Sequence, residues 1–310
     1  MSFKIDSISF KVGEVAIPVV DLCSSLGRDY TRLIKRSGFE YVHHTKESEL
    51  KFFGDFLSET IKVQKGDFII FVNQSMANSI PGSISELFLE ISNVDATGFL
   101  ELSDGCTGFS RAIVVANSLL ESGTALRCHI ICAEKYSKFF DDQDESVAPI
   151  FSDAISLTTI SKTGPYKVLD SKIRNFFSRH ESISVSKDFE NIDKIKMDGA
   201  QVLSWAINEI PTVVDQLLIE NNLKVENIDT WLIHQGSKIV VESLAEHIGI
   251  DPEGKFTASQ LGNTVSSSIP IILNQSFEGS GNNYIPNGYA IILTFGVGLS
   301  IVGILLKVDS

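Results

Sequence analysis

Apolar residues along the chain follow two alternating patterns, short runs that are typical of strands and longer stretches with helical spacing. In the first half, apolar runs bounded by turn residues predict strands at Phe3–Phe10, Phe68–Val72, Gly98–Leu102, Arg127–Glu134 and Ile155–Ile160. Helical spacing predicts three helical segments, the first broken at Gly38 and the last closed by Gly123: Asp29–Phe56, Ser83–Ile91 and Thr107–Ser122.

The second half repeats this alternation of strands and helices. Its predicted strands are Tyr166–Leu169, Ser182–Val185, Trp231–His234, Ala290–Thr294 and Leu299–Val308, and its predicted helices are Gly199–Asn221, Ser237–Ile248 and Thr264–Phe277. Strands that alternate with helices predict an α/β fold with a largely parallel, helix-covered sheet. Because the halves follow the same pattern, we expect two pseudo-duplicated halves, residues 1–164 and 165–310, that meet near Thr163–Pro165.

One stretch of the sequence is long and apolar enough to suggest a membrane span. The segment from Tyr289 to Leu306 contains no charged residue over 18 positions. Asn287 and Gly288 supply a turn before it, and Gly296 and Gly298 interrupt it. Two core strands joined by a glycine loop are therefore favoured over a transmembrane helix, which is the alternative.

Composition and charge narrow the class of protein. The chain has 310 residues, of which 43% are hydrophobic and 21% charged, as is ordinary for a globular protein. A net charge of −13 argues against a broad nucleic-acid interface, which needs clustered positive charge. Four cysteines without a C-x-x-C pair are too few for a disulfide scaffold, and the first 20 residues show no secretory pattern. We therefore expect a cytoplasmic protein with neither nucleic-acid nor membrane partners.

Cys106 lies between a predicted strand and a predicted helix. A thiol in the first turn of a helix experiences the positive end of the helix dipole, which favours the nucleophilic thiolate. Gly105 and Gly108 allow the chain to turn sharply and a substrate to approach closely. The alternative is a buried structural cysteine. Cys128 and Cys132 lie four apart on a predicted strand, hence on one face, and are expected to be inert packing groups.

His234 and Asn263 are two further candidates. His234 follows a predicted apolar strand and precedes a helix, and ligands of open α/β sheets bind beyond the carboxyl ends of strands. Asn263 directly precedes a predicted helix, where it can also serve as an ordinary helix cap. A lone histidine is usually structural, so that alternative is open too. The remaining histidines lack the spacing of a zinc site, and we assign no metal to them: His43, His44, His129, His180 and His247.

Three segments taken together resemble ketoacyl synthase III, a family of thiolase-fold condensing enzymes. They are D-G-C-T-G-F around Cys106, H-Q-G-S from His234, and G-N-T-V-S-S-S-I-P around Asn263, followed by F-G-V-G-L-S at 295–300. Their order and approximate spacing are similar to those of the family, and the resemblance spans about residues 66 to 308. It implies a thiolase-like fold of helix-covered mixed sheets, a homodimer, and catalytic roles for the cysteine, the histidine and the asparagine.

The resemblance also implies a reaction. The Cys106 thiolate takes an acyl group from a thioester, and the oxyanion is held by the backbone N–H groups of Cys106 and of the Gly296–Gly298 loop, at Val297. A malonyl thioester then loses carbon dioxide, and its enolate is stabilised by His234 Nε2–H and the Asn263 amide. The enolate attacks the acyl-cysteine to give a 3-oxoacyl product of fatty acid or polyketide biosynthesis. Coenzyme A or phosphopantetheine thioesters are the substrates, and neither a metal nor an organic cofactor is expected.

Substrate contacts are expected from a basic segment and from the motifs themselves. Lys35-Arg36-Ser37-Gly38-Phe39 is similar to a family segment that contacts coenzyme A. The expected substrate-binding residues are Arg32, Arg36, Ser237, Lys238, Gly296 and Gly298. An acidic acyl carrier protein needs a local basic patch on a chain of charge −13, and the candidates are Arg32, Lys35, Arg36 and Lys238. The alternative is that these are solvated surface charges.

Two other functions fit the same motifs. A Cys-dependent acyltransferase would pass the acyl group to an alcohol or amine without decarboxylation, whereas a noncatalytic partner subunit would only bind an acyl chain or stabilise a heterodimer. Asn263 favours condensation, because simple acyl transfer forms no enolate that needs its amide. A scaffold would not need a cysteine, a histidine and an asparagine in one crevice.

Overall fold

The structure is a computed structural model that describes residues 2–25, 31–76, 87–88, 98–140, 147–162, 164–176, 183–188, 191–279, 287–296 and 299–309. Its strands are β1 Ser2–Val12, β2 Val15–Pro18, β3 Tyr41–His44, β4 Asp67–Val72, β5 Gly98–Leu102, β6 Arg127–Glu134, β7 Ala154–Lys162, β8 Tyr166–Asn175, β9 Ile183–Asp188, β10 Asn191–Met197, β11 Ile228–Ile233, β12 Gly288–Gly296 and β13 Ser300–Val308. Its helices are α1 Val19–Ser25, α2 Thr31–Ser37, α3 Glu49–Thr60, α4 Gly108–Ser122, α5 Gly199–Glu220, α6 Lys238–Ile248 and α7 Ser268–Gly279.

Local sequence signals set several helix ends. The Ser48 hydroxyl accepts the N–H of Lys51 at the start of α3. At the start of α5, the Asp198 carboxylate accepts the N–H groups of two residues of the first turn. Helix α4 ends at Gly123, which has the left-handed φ of +75° that glycine adopts without steric cost. The predicted helix stop at this glycine is thereby confirmed.

The main sheet has nine strands in the order β11-β12-β13-β8-β1-β7-β6-β4-β5. Strand β4 runs parallel to β5 and β6, and β11 runs parallel to β12. The other five neighbouring pairs are antiparallel. The sheet is mixed, as the resemblance implied, and the prediction of a largely parallel sheet is wrong. Two antiparallel pairs join the first and last strands of a half, β1 with β7 and β8 with β13, and two join strands that follow one another along the chain, β6 with β7 and β12 with β13.

The same strand pattern occurs twice. In the first half, β1 pairs antiparallel with β7, which pairs antiparallel with β6, which runs parallel to β4. In the second half, β8, β13, β12 and β11 repeat this series of pairings. The two series meet where β1 pairs with β8, at Ser2–Lys167 and Phe3–Tyr166. The exact boundary at residues 164/165 stays a prediction, and Thr163 lies outside the described residues.

Helices α4 and α7 lie in a core that both halves share. One apolar cluster joins Ile113 of α4 and Leu273 of α7 with Ile130 of the first half and Ile304 of the second. Buried hydroxyl pairs cross the same junction: Thr107 Oγ1 lies 3.0 Å from Ser300 Oγ, and Thr294 donates to Ser110 at 2.9 Å. The start of α4 is therefore held against β12 and β13 of the second half.

Several predicted elements match the structure and others do not. Strands Gly98–Leu102 and Arg127–Glu134 have the predicted bounds, and the charge-free stretch forms two strands, as favoured. The stretch Asp29–Phe56, predicted as helical, contains strand β3 between α2 and α3. Strands β2 and β10 have no counterpart among the predicted strands. Of Ser83–Ile91 the structure describes only 87–88, which are helical, and the remainder lies outside the described residues. No helix in the described ranges is long and apolar enough to cross a membrane.

Candidate active site

Cys106 lies in a 3₁₀ turn, Gly105–Thr107, that leads directly into α4. Its side chain is buried and lines a cavity. Gly105 has φ +46°, and a Cβ at this position would lie 2.4 Å from Gln74 Oε1. The left-handed φ favours glycine, and a larger residue would also have to displace the Gln74 side chain, so the turn that presents the thiol at a helix start is suited to the predicted glycine.

The end of β12 packs directly against the cysteine. A Cβ added to Gly296 would lie 2.6 Å from Cys106 Cβ and 2.9 Å from its Sγ. The backbone at the end of this strand therefore lies directly against the thiol. Val297 and Gly298, the predicted oxyanion donor and one predicted substrate contact, lie outside the described residues and stay predictions.

His234 follows β11 directly and is almost fully buried. Its backbone N–H donates to Leu293 O of β12 at 2.9 Å, and its ring meets the Phe295 ring edge-on at 5.5 Å. Burial lowers the pKa of His234 to about 4, so the imidazole is neutral at pH 7. Nδ1 is buried and makes no hydrogen bond within the described part of the chain. An unpaired buried polar atom costs about 1–3 kcal/mol, which is tolerated more readily at a functional site than in a structural core.

Asn263 is fixed on three sides. Its N–H donates to Ile150 O at 2.8 Å, and its carbonyl accepts the Ser152 N–H at 2.9 Å. Its Oδ1 accepts the N–H of Val265 at 2.9 Å, so the side-chain acceptor is occupied and Nδ2 is the donor end of the amide. The Asn263 amide can therefore serve both purposes: its oxygen accepts the local hydrogen bond of the turn, and its nitrogen is left as a donor for the cavity.

Backbone strain accompanies this turn. Val265 has φ +53°, a left-handed conformation that is a genuine outlier for a β-branched residue. Such a conformation costs on the order of 1–3 kcal/mol and persists only where the surroundings enforce it. Val265 is fully buried in the apolar cluster that contains Cys106, and this packing holds the turn.

Cys106, His234 and Asn263 line one cavity of about 690 Å³. This volume is typical of small-molecule sites. The three residues are buried, whereas Arg32 and Arg36, which also line the cavity, are exposed and mark its open end. The walls between them are mainly apolar and include Leu33, Ile150, Phe151, Met197, Val202, Leu203, Ile207, Ile239, Val240 and Phe295.

The other predicted substrate residues divide into two groups. Ser237 and Gly296 line the cavity together with Arg32 and Arg36. Lys238 is not among the described residues that line it: the Lys238 stem covers Gly38, and its ammonium group lies 3.8 Å from the Glu242 carboxylate. The roles of these residues in substrate binding stay predictions.

The remaining cysteines and histidines have structural surroundings. Cys128 and Cys132 are fully buried, as predicted, and burial raises the pKa of Cys128 to about 12. His129 lies 3.0 Å from both Asp67 and Thr159 oxygens. Three other histidines contact backbone carbonyl oxygens, namely His43, His44 and His247. His180 lies outside the described residues. In the described ranges no three His, Cys, Asp or Glu side chains converge as metal ligands would.

Sequence reasoning missed the wall behind the cysteine. Tyr136, Phe139, Phe140 and Phe151 form an apolar cluster with Cys106. Glu134, on the strand that leads into this wall, is fully buried. The available signal was a single acidic residue that ends an otherwise apolar strand.

Comparisons of the sequence with known proteins agree on one family, and a solved structure shares the fold. Residues 100–175 match the profile of 3-oxoacyl-[acyl-carrier-protein] synthase III, and residues 218–308 match the profile of its C-terminal part. The beta-ketoacyl-[acyl-carrier-protein] synthase III of Streptococcus mutans is 29% identical, over 80% of either chain. That of Streptococcus pyogenes is 24% identical over 98% of this chain and 99% of its own. The crystal structure of 3-oxoacyl-(acyl carrier protein) synthase III from Pseudomonas aeruginosa superimposes with a TM-score of 0.85 at 16% identity, covering 100% of this chain and 99% of the other.

Proposed function

The chain belongs to the 3-oxoacyl-[acyl-carrier-protein] synthase III family, and we propose that it is an acyltransferase that condenses an acyl group with a malonyl thioester. The observation that carries this proposal is the convergence of Cys106, His234 and Asn263 in one cavity. A nucleophile and two neutral hydrogen-bond donors are what acyl transfer followed by enolate formation requires.

The first half-reaction loads the enzyme. The Cys106 thiolate attacks the carbonyl carbon of an acyl thioester, a new sulfur–carbon bond forms, and the donor thiol leaves. The start of α4 favours the thiolate electrostatically. The tetrahedral oxyanion is assigned to the backbone N–H groups of Cys106 and Val297, in line with the approach of Gly296 to the thiol.

The second half-reaction makes the carbon–carbon bond. The malonyl thioester loses carbon dioxide, and the electron pair of the broken bond forms an enolate whose oxygen accepts hydrogen bonds from His234 and Asn263. Since the low pKa of His234 keeps its imidazole neutral at pH 7, the ring acts as an N–H donor and not as a cation. The Asn263 amide offers Nδ2, because its Oδ1 is occupied by Val265. The enolate carbon then attacks the acyl carbon, and the thiolate of Cys106 leaves with a 3-oxoacyl thioester formed.

Delivery of the thioesters is proposed to use coenzyme A or the phosphopantetheine arm of an acyl carrier protein. The mainly apolar cavity with Arg32 and Arg36 at its open end suits a thioester arm that ends in phosphate groups. Arg32, Lys35 and Arg36 are exposed on α2 and form a basic patch beside the opening, whereas the charge of Lys238 is partly offset by Glu242. An acidic carrier protein is the partner proposed for this patch. The homodimer implied by the resemblance stays a prediction.

A competing activity on the same fold is simple acyl transfer from Cys106 to an alcohol or amine. It would not require two donors aimed at an enolate, and the presence of His234 and Asn263 in the cavity therefore favours condensation. The proposed reaction passes through neither a metal nor an organic cofactor.

The test is to separate loading from condensation. The purified protein is incubated with a panel of acyl-coenzyme A and acyl-carrier thioesters and its intact mass is recorded, after which malonyl carrier is added and the product is analysed. We expect one acyl adduct, lost in Cys106→Ala and retained in the control Cys128→Ala, and release of a 3-oxoacyl thioester. An adduct that persists in Cys106→Ala would remove Cys106 from the reaction. Loading without carbon dioxide release would favour simple acyl transfer.

A further inference from the structure

Glu134 is a fully buried carboxylic acid at the end of β6, close to the candidate site but not among the described residues that line the cavity. Buried acidic side chains are rare unless their oxygen atoms are engaged. Both oxygens of Glu134 are engaged, and each faces a different loop of the site.

The first oxygen binds the segment after β4. Glu134 Oε2 accepts the N–H of Gln74 at 3.0 Å and that of Ser75 at 3.3 Å. The side chain of Gln74 then reaches the cysteine turn. Its Oε1 accepts the Tyr136 hydroxyl at 2.6 Å and lies so close to Gly105 that a Cβ there would be 2.4 Å away. The carboxyl group is therefore two contacts away from the turn that presents Cys106.

The second oxygen binds the turn after Asn263. The Ser266 hydroxyl oxygen and Glu134 Oε1 lie 3.3 Å apart, within hydrogen-bond distance. Ser266 follows Val265, whose strained backbone accompanies the hydrogen bond to Asn263 Oδ1. A group that holds Ser266 thus stabilises the turn that orients the Asn263 amide.

Charge is consistent with this position. Burial raises the pKa of Glu134 to about 8, against the lowering effect of its three hydrogen-bond donors, and the nearby charge of Glu49 raises it further. Burial raises the pKa of Tyr136 most, and the charges of Glu134 and Cys106 raise it further. The three groups therefore lie close enough to interact in one buried region. At neutral pH Glu134 is mainly protonated, so its acid O–H on Oε1 donates to the Ser266 hydroxyl, and the uncharged group does not oppose a thiolate there.

On the basis of the proposed function, we propose that Glu134 is a positioning residue for the condensation. Its carboxyl group connects the Gln74 segment at the Cys106 turn to the Ser266 turn that follows Asn263. It thereby keeps the nucleophile and the enolate donor at a fixed distance and orientation. The connection is made by hydrogen bonds. A glutamine of the same shape would preserve it, because its Oε1 can accept the two backbone N–H groups while its Nε2 donates to Ser266.

The experiment compares Glu134→Ala, Glu134→Gln and Ser266→Ala with the wild type. Asp67→Ala is the matched control, because Asp67 is also a buried carboxylate between β4 and β6, but it lies at the start of β4 and binds Arg127 and His129. Two rates are measured on protein shown by circular dichroism to be folded. They are the alkylation of Cys106 by iodoacetamide, followed by intact mass, and the steady-state condensation.

We expect Glu134→Ala to lower kcat by about 10²-fold, as misplacement of reacting groups by about 1 Å does, with little change in the KM for the acyl donor. Glu134→Gln should retain most of the wild-type kcat, and Ser266→Ala should show a smaller loss in the same direction. Asp67→Ala should lose stability but keep its kcat. If Glu134→Ala does not fold, the kcat of Ser266→Ala is compared with that of the wild type and of Asp67→Ala instead.

Three results would overturn the positioning role. The first is a wild-type kcat in folded Glu134→Ala or, if that variant does not fold, in Ser266→Ala. The second and third are a loss of kcat in Asp67→Ala or in Glu134→Gln that equals the loss in Glu134→Ala. The alkylation rate separates this proposal from the proposed function, since it needs no substrate. If the wild type does not condense, the proposed function fails, whereas slower alkylation in Glu134→Ala than in Asp67→Ala would still support positioning of Cys106. Equal alkylation rates in that case would overturn the positioning role as well.

Discussion

The contact between Gly296 and Cys106 makes a quantitative prediction possible for Gly296→Ala. The added methyl carbon would lie 2.6 Å from Cys106 Cβ and 2.9 Å from Sγ. Carbon atoms in contact are ordinarily about 3.5–4.0 Å apart, so the strand and the cysteine must separate by about 1 Å. Gly296 also has φ +159°, a backbone conformation that residues with a side chain rarely adopt, so backbone strain adds to the steric effect.

Neither side of this contact can yield easily. Gly296 pairs with Ser300 of β13, and the Thr107 hydroxyl, next to the cysteine, lies 3.0 Å from the Ser300 hydroxyl. Overpacking of this kind costs about 1–3 kcal/mol of stability. A displacement of the thiol by about 1 Å should lower the rate of acyl transfer to it by about 10²-fold.

The assay is single-turnover acylation of Cys106 followed by intact mass, with thermal unfolding to confirm that the variant is folded. Gly199→Ala is the control, because Gly199 lines the same cavity but a Cβ there would meet nothing within 4 Å. We expect Gly199→Ala to load at the wild-type rate. If folded Gly296→Ala also loads at that rate, the thiol does not react from the position it occupies beside β12, and the assignment of the oxyanion loop fails with it.

Two further predictions concern the donors and the delivery of substrate. His234→Ala and Asn263→Ala should each lower malonyl decarboxylation by about 10²–10³-fold while Cys106 is still acylated, because one enolate donor is lost; wild-type condensation in both variants would favour an unrelated mechanism. Reversal of Lys35 and Arg36 to glutamate should raise the KM for the acyl carrier protein, and the increase should shrink in high salt, where attraction to an acidic partner is screened. Unchanged kinetics with both carrier and coenzyme A substrates would remove this patch from the proposal.

Much of the fold could be predicted because the core strands carry local signals. The apolar run of β6 and the short β5 have the bounds that their turn residues predict, and the glycine at 123 ends α4 as expected. Strand β3 could not be predicted in the same way. It lies in a charge-rich stretch and forms through pairing with β2, in which Ala16 lies opposite His43. Its conformation is set by a partner, which local propensity does not contain.

Only those residues of the site that lie in recognisable sequence motifs could be predicted. Cys106, His234 and Asn263 are identified by a resemblance, and the structure brings them into one cavity. The link from Glu134 to Gln74 and Ser266 has no motif, because the partners are 60 and 132 residues away along the chain. Only the tertiary fold brings these polar groups together, and the sequence shows just an acidic residue at the end of an apolar strand.

The precision of the site follows from where its elements are anchored. Cys106 is presented by α4, which packs between the two halves, and His234 and Asn263 come from the second half alone. Their spacing is therefore set by the shared core, by the hydroxyl pairs Thr107–Ser300 and Ser110–Thr294, and by the backbone hydrogen bonds of Asn263 with Ile150 and Ser152. Packed cores do not deform continuously, because their interiors are as dense as organic crystals. This is why a single methyl group added at the end of β12 is expected to lower the rate of acyl transfer to Cys106, whereas the same group at Gly199 is not.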